Sequence, residues 1–117
     1  MFKFVDVKFP ELNFNSCLIN IYPDKSVGIP DHSDDETSIA RDSFILTISL
    51  GCTREMFFKV KSSGETLASL NLCHGDIILF SKNSQNWYTH GIPPSRPLVF
   101  STENYLPRVS ATFRCII

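Results

Sequence analysis

The final ten residues limit the fold more than any other stretch. From Arg108 to Cys115 the chain reads Arg-Val-Ser-Ala-Thr-Phe-Arg-Cys, and side chains of an extended strand alternate between its two faces. Arg108, Ser110, Thr112 and Arg114 therefore share one face, and Val109, Ala111, Phe113 and Cys115 the other. One face packs while the other presents two guanidinium groups. Their Cα atoms stand about 20 Å apart at ~3.3 Å per residue, and side chains leaning together close most of that gap, leaving room for a short dicarboxylate. Arginine suits such a ligand because its planar fork binds a carboxylate through paired hydrogen bonds and stays charged. Arginines at strand ends are also commonly just solvated. The apolar opposite face argues against that here, as do polar faces on two other strands.

The same period of two recurs along the chain. Cys17 to Tyr22 divides into Cys17, Ile19 and Ile21 on one side and Leu18, Asn20 and Tyr22 on the other. Phe44 to Leu50 is a strongly apolar strand whose more polar face is Ile45, Thr47 and Ser49, closed by Gly51. Arg54–Val60 and Leu67–Leu72 are expected to pair as a hairpin across Lys61 to Glu65. Phe2–Phe9 reads as a strand or extended cover, Ile77–Ser81 as a buried strand, and Asn83–Asn86 as a polar loop before Trp87, Tyr88, Thr89 and His90. Thr37–Asp42 is the one place for a short helix or irregular loop. Pro93–Pro107, with four prolines, reads as a long surface loop. About eight short strands with little or no helix predict an all-β chain, either a sandwich or a jelly roll of two Greek keys.

At 117 residues the chain is expected to form one domain, 1–117, with a single core. No run is long and apolar enough to span a bilayer, and Met1–Pro10 lacks the features of a signal peptide. The expectation is an intracellular, cytoplasmic protein with no membrane association. Cys17, Cys52, Cys73 and Cys115 lack the close spacing of structural zinc ligands and are expected to be reduced and buried. A net charge of −1 leaves no overall electrostatic trap for nucleic acid. Outside the two-arginine face of the last strand the visible basic groups are few, Arg54, Lys59, Lys61 and Lys82, with Arg41 and Arg96 on loops, so a weak, shallowly salt-dependent affinity is expected.

Pro30 to Glu36 reads Pro-Asp-His-Ser-Asp-Asp-Glu. In extended backbone His32 and Asp34 point to the same side, offering one imidazole nitrogen and one carboxylate oxygen to a common point. A second histidine would complete the two-histidine, one-carboxylate triad that holds non-haem iron(II) with coordination positions open, and His90 is the candidate. With three histidines and seven aspartates in the chain, an isolated His-x-Asp also fits an acidic, solvated turn.

Taken together, Asn20-Ile-Tyr22, His32-Ser-Asp34, Ser49-Leu-Gly51, His74-Gly-Asp76, His90-Gly-Ile92 and Arg108-Val-Ser-Ala-Thr-Phe-Arg114 resemble, in order, the AlkB-like iron(II) and 2-oxoglutarate dependent dioxygenases. The likeness covers nearly everything after Asn15. The stretch around Ile29–Glu36 looks most like the form carried in replication polyproteins of plant RNA viruses. The resemblance implies a double-stranded β-helix, the cupin-like jelly roll, and an iron site of His32, Asp34 and His90. It implies that Asn20 and Tyr22 help hold 2-oxoglutarate, that Arg108 pairs with its far carboxylate, and that Arg114 lies near the carboxylate bound to iron. Ser110 stands where better-known members have Asn. Asp35 and Glu36 resemble acidic residues that face the damaged base, with Asp31 a solvated neighbour. His74 reads as a turn residue and Trp87 as core or rim.

The implied activity is oxidative demethylation of N-methylated bases in RNA or single-stranded DNA, consuming 2-oxoglutarate and dioxygen and releasing succinate, carbon dioxide and formaldehyde. A monomer or a part of a larger polyprotein is expected, with the N-terminal nucleotide lid of fuller members reduced or absent. Two other readings stay open: a protein side-chain hydroxylase with the same cofactors, and a non-catalytic jelly-roll module that binds RNA or a partner.

Overall fold

The computed structural model describes residues 12–40, 42–81, 83–95 and 106–117. The expected Phe2–Phe9 strand, Arg41, Lys82 and Arg96, and most of the expected loop up to Pro107 lie outside the described residues. The elements run β1 (Ser16–Tyr22), β2 (Ile29–His32), β3 (Ile45–Gly51), β4 (Arg54–Val60), β5 (Thr66–Leu72), β6 (Ile77–Phe80), α1 (Ser84–Trp87), β7 (Tyr88–Ile92) and β8 (Arg108–Arg114). Among the described residues they form two four-stranded sheets, ordered β1-β8-β3-β6 and β2-β7-β4-β5, with every pairing antiparallel. Successive strands pass between the sheets, except for the β4–β5 hairpin. That is the jelly-roll path, and it chooses between the two architectures the alternation left open.

The local differences from the sequence expectation have physical causes. β2 is too short and too interrupted by Pro30 and Asp31 to show a period of two. The polar stretch before Trp87 closes one helical turn, α1, entered through Asn83 at φ 69°. Residues 37–40 form no helix; Ile39 makes a lone bridge to Ile116. Trp87 is 66% exposed, on the rim rather than in the core. All four cysteines carry free thiols, but none is buried and Cys73 is exposed. Cys73 sits in the β5–β6 turn, where its N–H donates to the Asp76 carboxylate at 2.8 Å, so the turn holds its side chain out of the core.

Between the sheets, Tyr22, Met56, Leu72 and Ile92 form one apolar cluster, joined by Ile29, Phe58 and Ile78. Ile39, Ile45 and Phe80 form another. The outward faces of β8 and β3 are also apolar, and there Leu12 and Phe14 cover Leu46, Ala111 and Phe113. Farther along that outer face Ile19, Ile21, Ile77 and Leu79 are exposed. Among the described residues, no helix is long and apolar enough to cross a membrane.

Two glycines permit close approaches. Gly51 takes φ +89° as the chain leaves β3, and a Cβ there would strike the Pro107 carbonyl. Its N–H donates to His74 Nδ1 at 2.9 Å, which gives His74 its place in a turn. Gly91 lies beside a bulge in β2, and a Cβ there would come within 2.5 Å of Asp31 Oδ1 and 3.0 Å of Asp31 N. That absence lets β2 press against β7 next to His90.

Candidate active site

His32 and His90 are directly opposed across the β2–β7 pair, which places their rings 4.5 Å apart, centre to centre. β2 ends at His32, so Asp34 lies just beyond the strand. Its carboxylate nevertheless turns back to the same point, with Oδ1 3.9 Å from His32 Nε2 and Oδ2 3.6 Å from His90 Nε2. One donor atom from each of the three lies within 4.8 Å of the other two.

Each donor is held in a state suited to a metal. His32 Nδ1 donates to the Pro30 carbonyl at 2.8 Å, leaving Nε2 with its lone pair toward Asp34. His90 is buried under Phe80, whose ring lies 4.8 Å away, with Phe58 at 6.5 Å. Burial pushes the His90 imidazole down to about 4; Asp34 opposes that shift, while His32 and Arg114 add to it. His90 is therefore neutral at physiological pH. Arg114 Nη2 donates to Asp34 Oδ1 at 2.6 Å, and Gln85 Oε1 accepts the Asp34 backbone N–H at 2.9 Å. Two imidazoles and one carboxylate, all on one side, are a donor set that fits iron(II) with positions left open.

The cavity that contains this triad runs along the inward face of β8. It is lined by Asn20, Tyr22, Ile29, His32, Asp34, Thr47, Met56, Phe80, His90, Arg108, Ser110, Thr112 and Arg114. Strand register explains the order: Tyr22 opposes Arg108, Asn20 opposes Ser110, and Ser110 and Thr112 oppose Ser49 and Thr47. Arg108 is 1% exposed. Its Nη2 donates to Ser49 Oγ at 2.8 Å, and its guanidinium carbon lies 5.2 Å from the Tyr22 ring centre. Burial lowers its pKa and Tyr22 opposes that. Among the described residues no carboxylate forms an ion pair with Arg108, and the Nε–H groups of both Arg108 and Arg114 are buried without a partner. A buried cation met by the Ser49 hydroxyl and Tyr22, with no carboxylate beside it among the described residues, is suited to receive an anion.

The structure thus brings His32, Asp34, His90, Asn20, Tyr22, Arg108 and Arg114 to one cavity. Asp35 and Glu36 are exposed and not part of its wall. Asp35 is paired with Lys61 at 2.9 Å, and that bond holds its carboxyl below the usual range. Asp31 is not simply solvated, because Lys59 reaches it at 2.6 Å. Arg54 is not an available surface cation either. It is 2% exposed and donates to the carbonyls of Val27 at 2.8 Å and Pro93 at 3.0 Å.

Sequence reasoning missed Ser49 as the Arg108 partner and Gln85 as a support of Asp34. Ser49 left a signal in the polar face of its strand. Gln85, 51 residues from Asp34, left none.

Residues 3–114 match the family model of the 2OG-Fe(II) oxygenase superfamily. The DNA oxidative demethylase ALKBH2 of Homo sapiens is 32% identical over 111 residues, covering 89% of this chain and 40% of that protein. The alpha-ketoglutarate-dependent dioxygenase alkB homolog 3 of Homo sapiens is 31% identical over 111 residues, covering 88% of this chain and 37% of its own length. The solved structure of OsALKBH1 superposes with a TM-score of 0.68 at 27% identity, covering 89% of this chain and 49% of that one. The chain therefore spans well under half the length of these two curated relatives.

Proposed function

Because this chain belongs to the 2OG-Fe(II) oxygenase superfamily, we propose that it is an oxidative demethylase that removes N-methyl groups from nucleic-acid bases. The observation that carries the reading is the sharing of one cavity by the His32, Asp34 and His90 donors and the buried, carboxylate-free Arg108. One half suits iron(II) and the other suits the anionic end of 2-oxoglutarate. The relatives named as demethylases and dioxygenases give the substrate class its support.

In this reading His32, Asp34 and His90 would hold the iron, and Arg108 would bind the far carboxylate of 2-oxoglutarate. With dioxygen, the bound pair supplies the oxidation that releases the methyl carbon as formaldehyde and leaves succinate and carbon dioxide. Ser49 and the Tyr22 ring aim the Arg108 fork, so little ordering is left for the moment of binding. Asn20 offers an amide from the neighbouring strand of the same sheet. Arg114 holds the Asp34 carboxylate by a hydrogen bond to Oδ1 and so fixes its orientation toward the histidines. Phe80 shields His90 from water on its far side. A base reaches such a narrow site only from a single strand or after flipping from a duplex, so methylated RNA or single-stranded DNA is the proposed substrate.

The test supplies the protein with iron(II), 2-oxoglutarate and oligonucleotides carrying 1-methyladenine or 3-methylcytosine, and measures succinate and formaldehyde. Equal yields of both, dependent on the methyl group, are expected. Succinate without formaldehyde from any methylated oligonucleotide would reject the demethylase reading. Absence of both would reject the catalytic one.

A further inference from the structure

β2 stops at His32, so Ser33, Asp34 and Asp35 carry the carboxylate donor with no strand ladder to hold them. Each is tied instead to the segment around α1. Ser33 Oγ donates to the Tyr88 carbonyl at 2.9 Å, and the Asp34 N–H donates to Gln85 Oε1 at 2.9 Å. Lys61 Nζ bridges Asp35 at 2.9 Å and the Gln85 carbonyl at 3.4 Å, while its backbone N–H donates to the Trp87 carbonyl at 2.8 Å. Of these bonds only the one from Gln85 is made to the donor residue. Asp34 is thus gripped at both ends, by Arg114 at its carboxylate and by Gln85 at its backbone.

We propose that Gln85 is a positioning residue for the metal, setting the reach of the Asp34 carboxylate toward His32 and His90. This rests on reading those three residues as metal ligands. The Gln85 side chain is half-buried outside the cavity wall, so it touches neither metal nor co-substrate. Its effect passes through Asp34, whose N–H sits in a part-buried setting with Gln85 as its acceptor. Without that acceptor the N–H turns to find water, and the loop turns with it. Shifts of about 1 Å are enough to spoil a preorganised ligand set, and losing an outer-shell partner typically costs about 10- to 100-fold in metal affinity.

The experiment titrates cobalt(II), as a visible-absorbing probe, into chelator-treated protein and follows affinity and the ligand-field spectrum, with thermal unfolding of the metal-free form alongside. Gln85→Met, which keeps the length and removes the acceptor, is expected to bind cobalt(II) about 10- to 100-fold more weakly with an altered spectrum. Its metal-free melting temperature should stay within about 5 °C, the cost of roughly one hydrogen bond. Gln85→Glu, which keeps an acceptor oxygen, should restore affinity to within about threefold of wild type, since less than 1 kcal/mol then separates them. If Gln85→Met does not fold, Gln85→Ser should show the same loss. Wild-type affinity in a folded Gln85→Met or Gln85→Ser protein overturns the proposal, as does a Gln85→Glu protein as weak as the Met variant. Asp34→Ala separates the two levels: wild-type cobalt(II) affinity there would sink the ligand reading itself.

Discussion

Replacing Arg108 by Met should move stability and ligand binding in opposite directions. The guanidinium is 1% exposed, donates to Ser49 Oγ, has no carboxylate partner among the described residues, and keeps a buried Nε–H unpaired. Keeping such a charge in a folded interior is costly, and an apolar side chain of similar length is neutral or stabilising by about 1–4 kcal/mol in comparable cases. The surrendered bond to Ser49 offsets about 1 kcal/mol of that. The metal-free variant should therefore melt at the same temperature as wild type or up to about 12 °C higher, using about 4 °C per kcal/mol for a domain of this size.

The loss appears only with ligand. A carboxylate seated in the fork would gain two charge-assisted hydrogen bonds at about 1.5–3 kcal/mol each. Taking the lower figure for both gives about 3 kcal/mol, or roughly a 150-fold weaker affinity for 2-oxoglutarate. Calorimetric titration of 2-oxoglutarate into protein loaded with manganese(II) measures this without turnover, and thermal unfolding measures the other half. A variant that is clearly less stable would show that Arg108 is a structural strut. One that binds 2-oxoglutarate within about threefold of wild type, a difference under 1 kcal/mol, would show that the anion site lies elsewhere.

Arg54 is the contrasting case, a buried arginine whose guanidinium holds loop carbonyls. Arg54→Met strands the carbonyls of Val27 and Pro93 and should cost about 3 kcal/mol, a fall of about 12 °C in melting temperature, with cobalt(II) affinity unchanged when measured cold; an unaltered melting temperature would refute it. The depressed His90 value, about 4 against about 6.5 unfolded, makes the unfolded chain the better proton acceptor between those limits. The His90 contribution to metal-free stability is then fully present above pH 6.5 and lost as pH falls toward 4, by on the order of 3 kcal/mol. The stability gap between wild type and His90→Gln in chelator should shrink over that window, and a gap independent of pH would count against a buried neutral imidazole. Lys59 and Lys61 are already paired with Asp31 and Asp35 and Arg54 is buried, so binding to single-stranded oligonucleotide should show a slope of log affinity on log salt no steeper than about −3. A slope near −6 would mean a phosphate track that these groups do not provide.

How far the chain could be read depended on the range of each interaction. The alternation from Arg108 to Arg114 is local, and the structure keeps all four polar residues on the cavity wall. His32 and Asp34 were legible for the same reason, although β2 ends before Asp34 and a loop supported by Gln85 completes the approach. His90 is opposite His32 through strand register, which no spacing reveals; order among the other motifs singled it out. Arg54 was misread as a surface cation because its burial depends on carbonyls of Val27 and Pro93, far from it in sequence. The cysteines were misread because apolar neighbours in sequence do not ensure cover in space. Cys73 follows β5, the edge strand of its sheet, and has little packed over it.

Placing a polar cavity inside a two-sheet fold changes where the core can go. Across the first sheet the inward rows include Tyr22 with Arg108, Asn20 with Ser110 and Ser49, and Thr112 with Thr47 between Leu18 and Ile78. A sandwich with such an interior cannot draw all its hydrophobic stabilisation from between its sheets. The outward rows supply the remainder: Cys17 with Phe113 and Leu46, and Ile19 with Ala111, Ile48 and Ile77. Leu12 and Phe14 close over the first of these rows, while Ile19 and Ile77 of the second stay exposed. The alternation in β8 therefore has two consequences that cannot be separated. The face that gathers Arg108, Ser110, Thr112 and Arg114 around the candidate metal centre obliges the other face to be hydrophobic. A substitution that slips β8 by one residue would exchange the two faces, losing the site and the outer core together.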